Sequence, residues 1–180
     1  MELAVKRARK SAVVYWLIPA RAERELFCSI IRILSEELDA PLFEPHLTLF
    51  PVSQDRQVAR KRLQEVDASS LSLSIRDVQF SAAFTKTIFV RFRPSAALNR
   101  LVSVMQRGAR EPLRKISDPH LSLCYKKLPM KSKRELVSAI KLPLREVAFD
   151  CVKAMVCPMP TRTSDEVKAW QVIGRKTLLD

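Results

Sequence analysis

One short sequence pattern occurs twice and contains both histidines of this 180-residue chain. It reads PHLTL from residue 45 and PHLSL from residue 119. Each copy places a histidine and a hydroxyl residue two positions apart, and these are His46 with Thr48 and His120 with Ser122. In a β-strand, residues two apart share a face, so each copy would set an imidazole beside a hydroxyl, with leucines anchoring the reverse face. We predict that the two strands meet and form one pocket.

Such a pocket is suited to acid–base chemistry at phosphorus. An imidazole has an unperturbed pKa of about 6.5 and can hold or release a proton at neutral pH. With two imidazoles around one phosphate, one can deprotonate a water while the other protonates the leaving oxygen, each typically giving about 10²–10⁴-fold. The hydroxyls can donate hydrogen bonds to the non-bridging oxygens. This chemistry needs no metal or other cofactor. The acids that precede the two motifs, Glu44 and Asp118, are predicted either to orient their loops or, as the favoured interpretation, to be solvated loop residues.

The cysteines leave one alternative open. There are four, without a CxxC pair, which favours a reducing compartment and buried structural thiols. They are Cys28, Cys124, Cys151 and Cys157. A zinc site built from the two histidines, Cys124 and another cysteine stays possible, although tetrahedral sites usually have paired ligands at short spacing.

The charge balance predicts an anionic partner. Lys and Arg number 32 against 19 Asp and Glu, a formal net charge of +13, which suits nucleic acid, nucleotide or phosphate ester. Residues 1–10 are basic and are predicted to be either a disordered arm that touches RNA or a solvated tail. With only two glycines, a Gly-rich phosphate loop is disfavoured. Neither a membrane span nor a signal peptide is recognisable, so we expect a cytoplasmic monomer.

The predicted elements suggest an internal duplication. Apolar periodicity and turn residues predict strands over 11–19, 46–52, 69–79, 85–92, 119–125, 144–156 and 167–173. They predict helices over 20–38, 53–66 with Ser53 as cap, 94 to about Gly108, and 130–140, with an irregular loop at Pro112. Each half therefore runs strand, helix, motif strand, helix, strand. We predict one α+β domain over 1–180, with two pseudo-twofold-related lobes whose antiparallel sheets face a central cleft and whose helices lie outside.

With these motifs, His46-Leu47-Thr48 and His120-Leu121-Ser122, the sequence resembles the 2H phosphoesterase superfamily, which is named for two His-x-Thr/Ser motifs. It looks most like the cyclic phosphodiesterase branch. The grounds are Trp16 before an apolar pair and Pro19, the run PHLSLCY that ends at Tyr125, and Trp170 near the C-terminus. The resemblance implies a bilobal fold with both motifs in one cleft.

The resemblance also implies an activity. The branch opens 2′,3′-cyclic nucleotides, and ADP-ribose 1″,2″-cyclic phosphate from tRNA splicing, to phosphomonoesters. His46 and His120 would be the acid–base pair, and Thr48 and Ser122 the phosphate ligands. The expected substrate-binding residues are Trp16 stacked on a base or ribose, Tyr125 hydrogen-bonded to a water or the phosphate, and Phe84 in the cleft wall. Strict alternation puts Tyr125 on the face opposite His120, so its role requires a bulge or strand end.

Two other functions remain open from the sequence. One is the RNA 2′,5′-ligase or RNA-end phosphodiesterase role of the same superfamily, in which the basic surface would bind a polynucleotide. The other is a non-catalytic module that binds RNA or a nucleotide in the same pocket.

Overall fold

The computed structural model describes residues 11–52, 55–107 and 115–179. The predicted basic arm, the predicted cap Ser53, the expected helix end at Gly108 and the loop at Pro112 lie outside these residues.

Within the described residues the chain forms seven strands and five helices. The strands are β1 (Ser11–Pro19), β2 (Leu47–Val52), β3 (Leu71–Phe80), β4 (Ile88–Phe92), β5 (His120–Cys124), β6 (Glu146–Pro158) and β7 (Gln171–Thr177). The helices are α1 (Arg21–Leu38), α2 (Arg56–Gln64), α3 (Ala96–Met105), α4 (Met130–Ala139) and α5 (Ser164–Lys168), with a 3₁₀ turn at Phe84–Lys86. None of these helices is long and apolar enough to cross a membrane.

The strand pairing contains a twofold pattern. The strand order is β1-β2-β5-β4-β3-β6-β7, and β1 also pairs with β6. All pairings between named strands are antiparallel. Exchanging β1 with β4, β2 with β5 and β3 with β6 reproduces every pairing among these six strands, and β7 is the addition. The α+β prediction with two related halves is therefore confirmed.

Continuous apolar runs and amphipathic stripes explain these elements. In β1 every residue from Val13 to Pro19 is buried, as expected for a strand covered on both faces. Helix α1 buries Phe27, Ile31 and Leu34, spaced three and four apart on one face. It ends at Asp39, which has left-handed dihedrals (φ 49°) and donates its backbone N–H to the Ser35 carbonyl. Both elements pack into the main core.

Two predicted segments differ from the structure. The predicted strand over 167–173 is wrong at its start, because Ser164–Lys168 is helical and β7 begins at Gln171. Thr163 and Glu166 form a capping box that fixes this short helix. The predicted strand over 85–92 begins in the 3₁₀ turn, and only Ile88–Phe92 is extended.

Candidate active site

The two motif strands meet at one pair of leucines. Leu47 of β2 lies opposite Leu121 of β5, and both are fully buried. In each strand the residues before and after the leucine share the other face, which borders a cavity of about 380 Å³. The described residues lining it include His46, Thr48, His120, Ser122, Trp16, Tyr125, Trp170, Lys86, Thr85 and Met159. The structure thus brings both predicted His–hydroxyl pairs together.

A main-chain carbonyl anchors each imidazole in the same way. His46 Nδ1 lies 2.6 Å from the Glu44 carbonyl oxygen, and His120 Nδ1 lies 3.0 Å from the Asp118 carbonyl oxygen. A carbonyl can only accept, so Nδ1 carries the proton in both neutral rings. The nitrogen that can take a proton is therefore Nε2 in each case.

The acid before each motif forms an ion pair with a lysine. Both carboxylate oxygens of Glu44 accept from Lys153 Nζ, at 2.7 and 2.6 Å. Lys86 Nζ donates to Asp118 at 2.6 Å. Asp118 is exposed, as expected of a solvated loop residue, whereas Glu44 is half-buried. A lysine pairs with each acid while the carbonyl of the same residue holds the imidazole.

The two imidazoles differ in burial. His46 is 5 % exposed, and burial lowers its pKa from 6.5 to about 4. His120 is only partly buried, and burial lowers its pKa as well. Its carbonyl partner and the Asp118 carboxylate oppose that shift, while Lys86 adds to it. His46 is therefore neutral at pH 7.

An aromatic side chain packs against each imidazole from an equivalent strand position. Trp16 lies opposite Thr48 in the β1–β2 ladder and stacks on His46, with ring centroids 3.6 Å apart and planes at 11°. Phe89 lies opposite Ser122 in the β4–β5 ladder and meets His120 edge-on at 5.5 Å.

Trp16 lines the cavity, but little of its ring surface is open to a ligand. Its side chain is 3 % exposed and one ring face is covered by His46. The expected stacking on a base or ribose stays a prediction, and the stacking contact in the structure is with the His46 imidazole. A strand position alone could not distinguish these two roles.

Tyr125 reaches the cavity because β5 ends at Cys124, one residue before it. Its hydroxyl lies 3.5 Å from His46 Nε2, and its ring stacks on Phe43 at 3.9 Å. Burial raises the pKa of the Tyr125 phenol, so the hydroxyl stays a proton donor. The strand end that the sequence required is present, and the contact is with the opposite histidine rather than with His120.

Phe84 stands outside the cavity lining. Its side chain packs against the core, and its ring centroid lies 6.1 Å from that of Tyr125. The wall is instead supplied by Trp170, which lines the cavity and meets the His46 ring edge-on at 5.7 Å. Lys86, two positions after Phe84, also lines the cavity.

The hydroxyl groups of Thr48 and Ser122 differ in exposure and in hydrogen bonding. Thr48 is exposed at the cavity. Ser122 is 5 % exposed and its hydroxyl donates to the Thr85 carbonyl at 2.8 Å. A phosphate that takes a hydrogen bond from Ser122 must compete with this carbonyl.

The residues around the cavity do not form a metal cage. Across 11–52, 55–107 and 115–179, no group of three or more His, Cys, Asp or Glu side chains could hold a metal ion. The zinc alternative raised by the cysteines is therefore not assembled in this part of the chain. Cys157 lines the cavity, and burial raises the pKa of its thiol to about 12, so it is not a thiolate.

Known structures share this architecture. E. coli LigT complexed with phosphate superimposes with a TM-score of 0.56 at 15 % identity, over 96 % of this chain and 100 % of LigT. LigT complexed with 3′-AMP gives a TM-score of 0.57 at 13 % identity, over 94 % and 99 %. A crystal structure of a phosphoesterase gives 0.55 at 15 % identity, over 95 % and 100 %.

No family model and no curated protein sequence matches the chain. At these identities the solved structures establish the fold. The chain has the LigT-like α+β fold of the 2H phosphoesterases, the superfamily that its two His-x-Thr/Ser motifs resemble.

Proposed function

We propose that the protein is a phosphoesterase that opens a cyclic phosphate to a phosphomonoester without a metal. The observation that carries the proposal is the pairing of two carbonyl-anchored imidazoles, His46 and His120, in one cavity with Thr48 and Ser122. The cavity of about 380 Å³ falls within the range of about 300–1,000 Å³ of small-ligand sites.

The burial difference supports separate roles for the imidazoles. His46 is neutral at pH 7, with Nε2 unprotonated, and is suited to take a proton from the attacking water. His120 is less buried, and although burial and Lys86 lower its pKa, the Asp118 carbonyl and carboxylate beside it oppose that shift and favour its protonated form. We assign His46 as the base and His120 as the acid.

The reaction then balances as one hydrolysis. The water oxygen bonds to phosphorus while its proton passes to His46 Nε2. The bond between phosphorus and one ring oxygen breaks, and that oxygen takes the proton from His120 Nε2. The sum is addition of one water to the cyclic diester. Thr48 and Ser122 donate to the non-bridging oxygens, where charge increases in the transition state.

The substrate we propose is a 2′,3′-cyclic nucleotide or ADP-ribose 1″,2″-cyclic phosphate. LigT, which has this fold, is crystallised with phosphate and with 3′-AMP, consistent with a phosphate monoester product in such a cleft. The apolar side chains beside the histidines, Trp170 and Met159 among them, give the nucleoside a surface to pack against.

Phosphorus NMR tests the proposal directly. The purified chain is incubated with a panel of cyclic phosphates in the presence of EDTA, and conversion to monoester is followed. His46→Ala and His120→Ala should each abolish turnover, whereas Lys131→Ala, an exposed charge on α4, should not. Full activity in either histidine variant, or loss of wild-type activity on chelation, contradicts the proposal.

The net charge of +13 favours a second candidate, an RNA 2′,5′-ligase or RNA-end phosphodiesterase that works on the same site. Several backbone contacts would make the affinity fall steeply with added salt, whereas a small cyclic nucleotide would show a shallow dependence. A third outcome, tight binding of a cyclic nucleotide with no product, would indicate a non-catalytic binding module.

A further inference from the structure

The cavity lining contains one permanently charged side chain among the described residues, and it is Lys86. No role is predicted for this lysine from its sequence context. It lies at the end of the 3₁₀ turn, between β3 and β4, on the same side of the cavity as His120. A phosphodiester is anionic throughout its hydrolysis, so the position of this charge relative to the histidines bears on the reaction.

Two neighbours hold the Lys86 ammonium in place. Its Nζ donates to Asp118 at 2.6 Å and lies 4.4 Å from the centroid of the Phe89 ring. Phe89 also packs edge-on against His120. The lysine, the aromatic ring, the carboxylate and the imidazole thus form one cluster at the cavity wall.

The equivalent lysine on the other side is not available to a ligand in this way. Lys153 pairs with Glu44, the counterpart of Asp118, but its side chain is 14 % exposed and it does not line the cavity. Lys86 is 25 % exposed and its partner Asp118 is 51 % exposed. Of the two lysine–acid pairs, only the one beside His120 can exchange its partner for a ligand without burying an unpaired charge.

We propose that Lys86 is a substrate-binding residue that donates to a non-bridging phosphate oxygen on the His120 side, leaving Asp118 to stabilise the protonated His120. The inference rests on the proposed function. Lys86 neutralises the carboxylate beside the imidazole through its ion pair with Asp118. When phosphate draws the ammonium away, that carboxylate faces His120 with its charge uncompensated, and the general acid gains its proton as substrate binds.

The charges around His120 are consistent with this exchange. The charged groups are Asp118 on its own segment, Lys86 on the 3₁₀ turn and Arg91 opposite it on β4. The other titratable group is His46, across the cavity. Arg91 is engaged by Asp77 through two hydrogen bonds, at 2.7 and 2.6 Å. His46 is neutral at pH 7, so Lys86 is the cation positioned to respond to phosphate.

Inorganic phosphate and the Lys86→Met variant test the proposal. Methionine matches the lysine side chain as far as Cε and lacks the ammonium group. We expect phosphate affinity to fall about tenfold or more, as for loss of a hydrogen bond to a charged group, with kcat/KM for a cyclic nucleotide falling at least as far. Lys86→Arg should retain most of both. The matched control is Lys126→Met, which removes another aspartate-paired lysine that lies outside the cavity lining.

Titration of the two histidine signals by NMR separates binding from a merely structural role. Phosphate should raise the pKa of His120 in the wild-type protein. In the Lys86→Met variant without phosphate, the pKa of His120 should already be higher than in the wild type, because the Lys86 charge that lowers it has been removed. Added phosphate should then shift the pKa of His120 by less than in the wild type. Circular dichroism confirms that each variant is folded.

Wild-type phosphate affinity in folded Lys86→Met, or an unchanged His120 titration, overturns the proposal. The phosphate and NMR measurements do not depend on turnover. If wild-type protein hydrolyses no cyclic phosphate, the proposed function fails on its own, and Lys86 is still tested as an anion ligand.

Discussion

Acidification should destabilise the protein through His46. Its pKa is about 4 in the folded chain because the ring is almost completely buried, and about 6.5 in an unfolded chain. Between these values the unfolded state binds a proton that the folded state does not. The free energy of unfolding therefore falls as the pH drops through this window, is fully retained above pH 6.5 and levels off below pH 4.

The size of this loss in the free energy of unfolding follows from the pKa shift of His46. Moving the pKa from 6.5 to about 4 corresponds to about 3 kcal/mol, since each pKa unit is worth about 1.4 kcal/mol. Domains of this kind have total stabilities of about 5–15 kcal/mol, so a single imidazole accounts for a large share of the acid sensitivity.

Urea unfolding at pH 7 and pH 4 in phosphate-free buffer measures this contribution. His46→Gln removes the titration and keeps a polar side chain in place. The wild-type protein should lose about 3 kcal/mol more than the variant between the two pH values. Carboxylates that titrate in the same range are common to both proteins and cancel in the comparison. His120→Gln serves as the matched control and should keep the His46 contribution.

Equal losses in the wild type and in His46→Gln would refute the reasoning. They would mean that burial does not hold this imidazole neutral, and the assignment of His46 as the base would lose its support. An NMR titration provides a second check, because the chain has only two histidines and each gives its own signal.

Three further variants test other contacts. Trp16→Leu removes the ring stacked on His46, so kcat should fall about tenfold to a hundredfold, with a smaller change in KM, in steady-state assays. Tyr15→Phe removes a buried hydroxyl that donates to the Ala59 carbonyl at 3.0 Å. Urea unfolding should show a loss of about 1–3 kcal/mol, because the carbonyl is left unsatisfied. Lys153→Met removes the cation that pairs with the acid before His46. Since that cation lowers the pKa of His46, NMR should show a higher pKa in the variant.

The elements with strong patterns could be predicted from sequence. The continuous apolar run of β1 predicts a buried strand, and the helical spacing of apolar residues in α1 predicts an amphipathic helix. The predicted bounds of both elements agree with the structure to within one residue. The C-terminal segment is ambiguous in sequence because its apolar residues, such as Val167 and Trp170, fit a strand as well as a turn of helix. The signal that decides it is the Thr163-x-x-Glu166 capping box, which stands in the sequence.

The chemistry of the site was partly predictable for a similar reason. The two copies of the motif indicate which residues come together, so the two His–hydroxyl pairs could be predicted without a structure. The contacts that side chains from separate elements make around the cavity follow no such pattern. That Trp16 would stack on His46, that Lys86 rather than Phe84 would line the cavity, and that Glu44 would pair with Lys153 all depend on chain segments distant in sequence. The single-domain, monomer and cytoplasmic expectations remain predictions.

The longest ladder in the sheet joins β1 to β6, elements from opposite ends of the polypeptide. During synthesis on the ribosome, β1 can pair with β2 early, but its other edge stays unpaired until residues 146–158 have emerged. Trp16 belongs to that strand and Lys153 to its late partner, and they face one another in the register. Nascent chains that stop short of β6 would consequently lack Lys153, the ion-pair partner of the residue whose carbonyl holds His46, and acquisition of activity should be among the last events of folding.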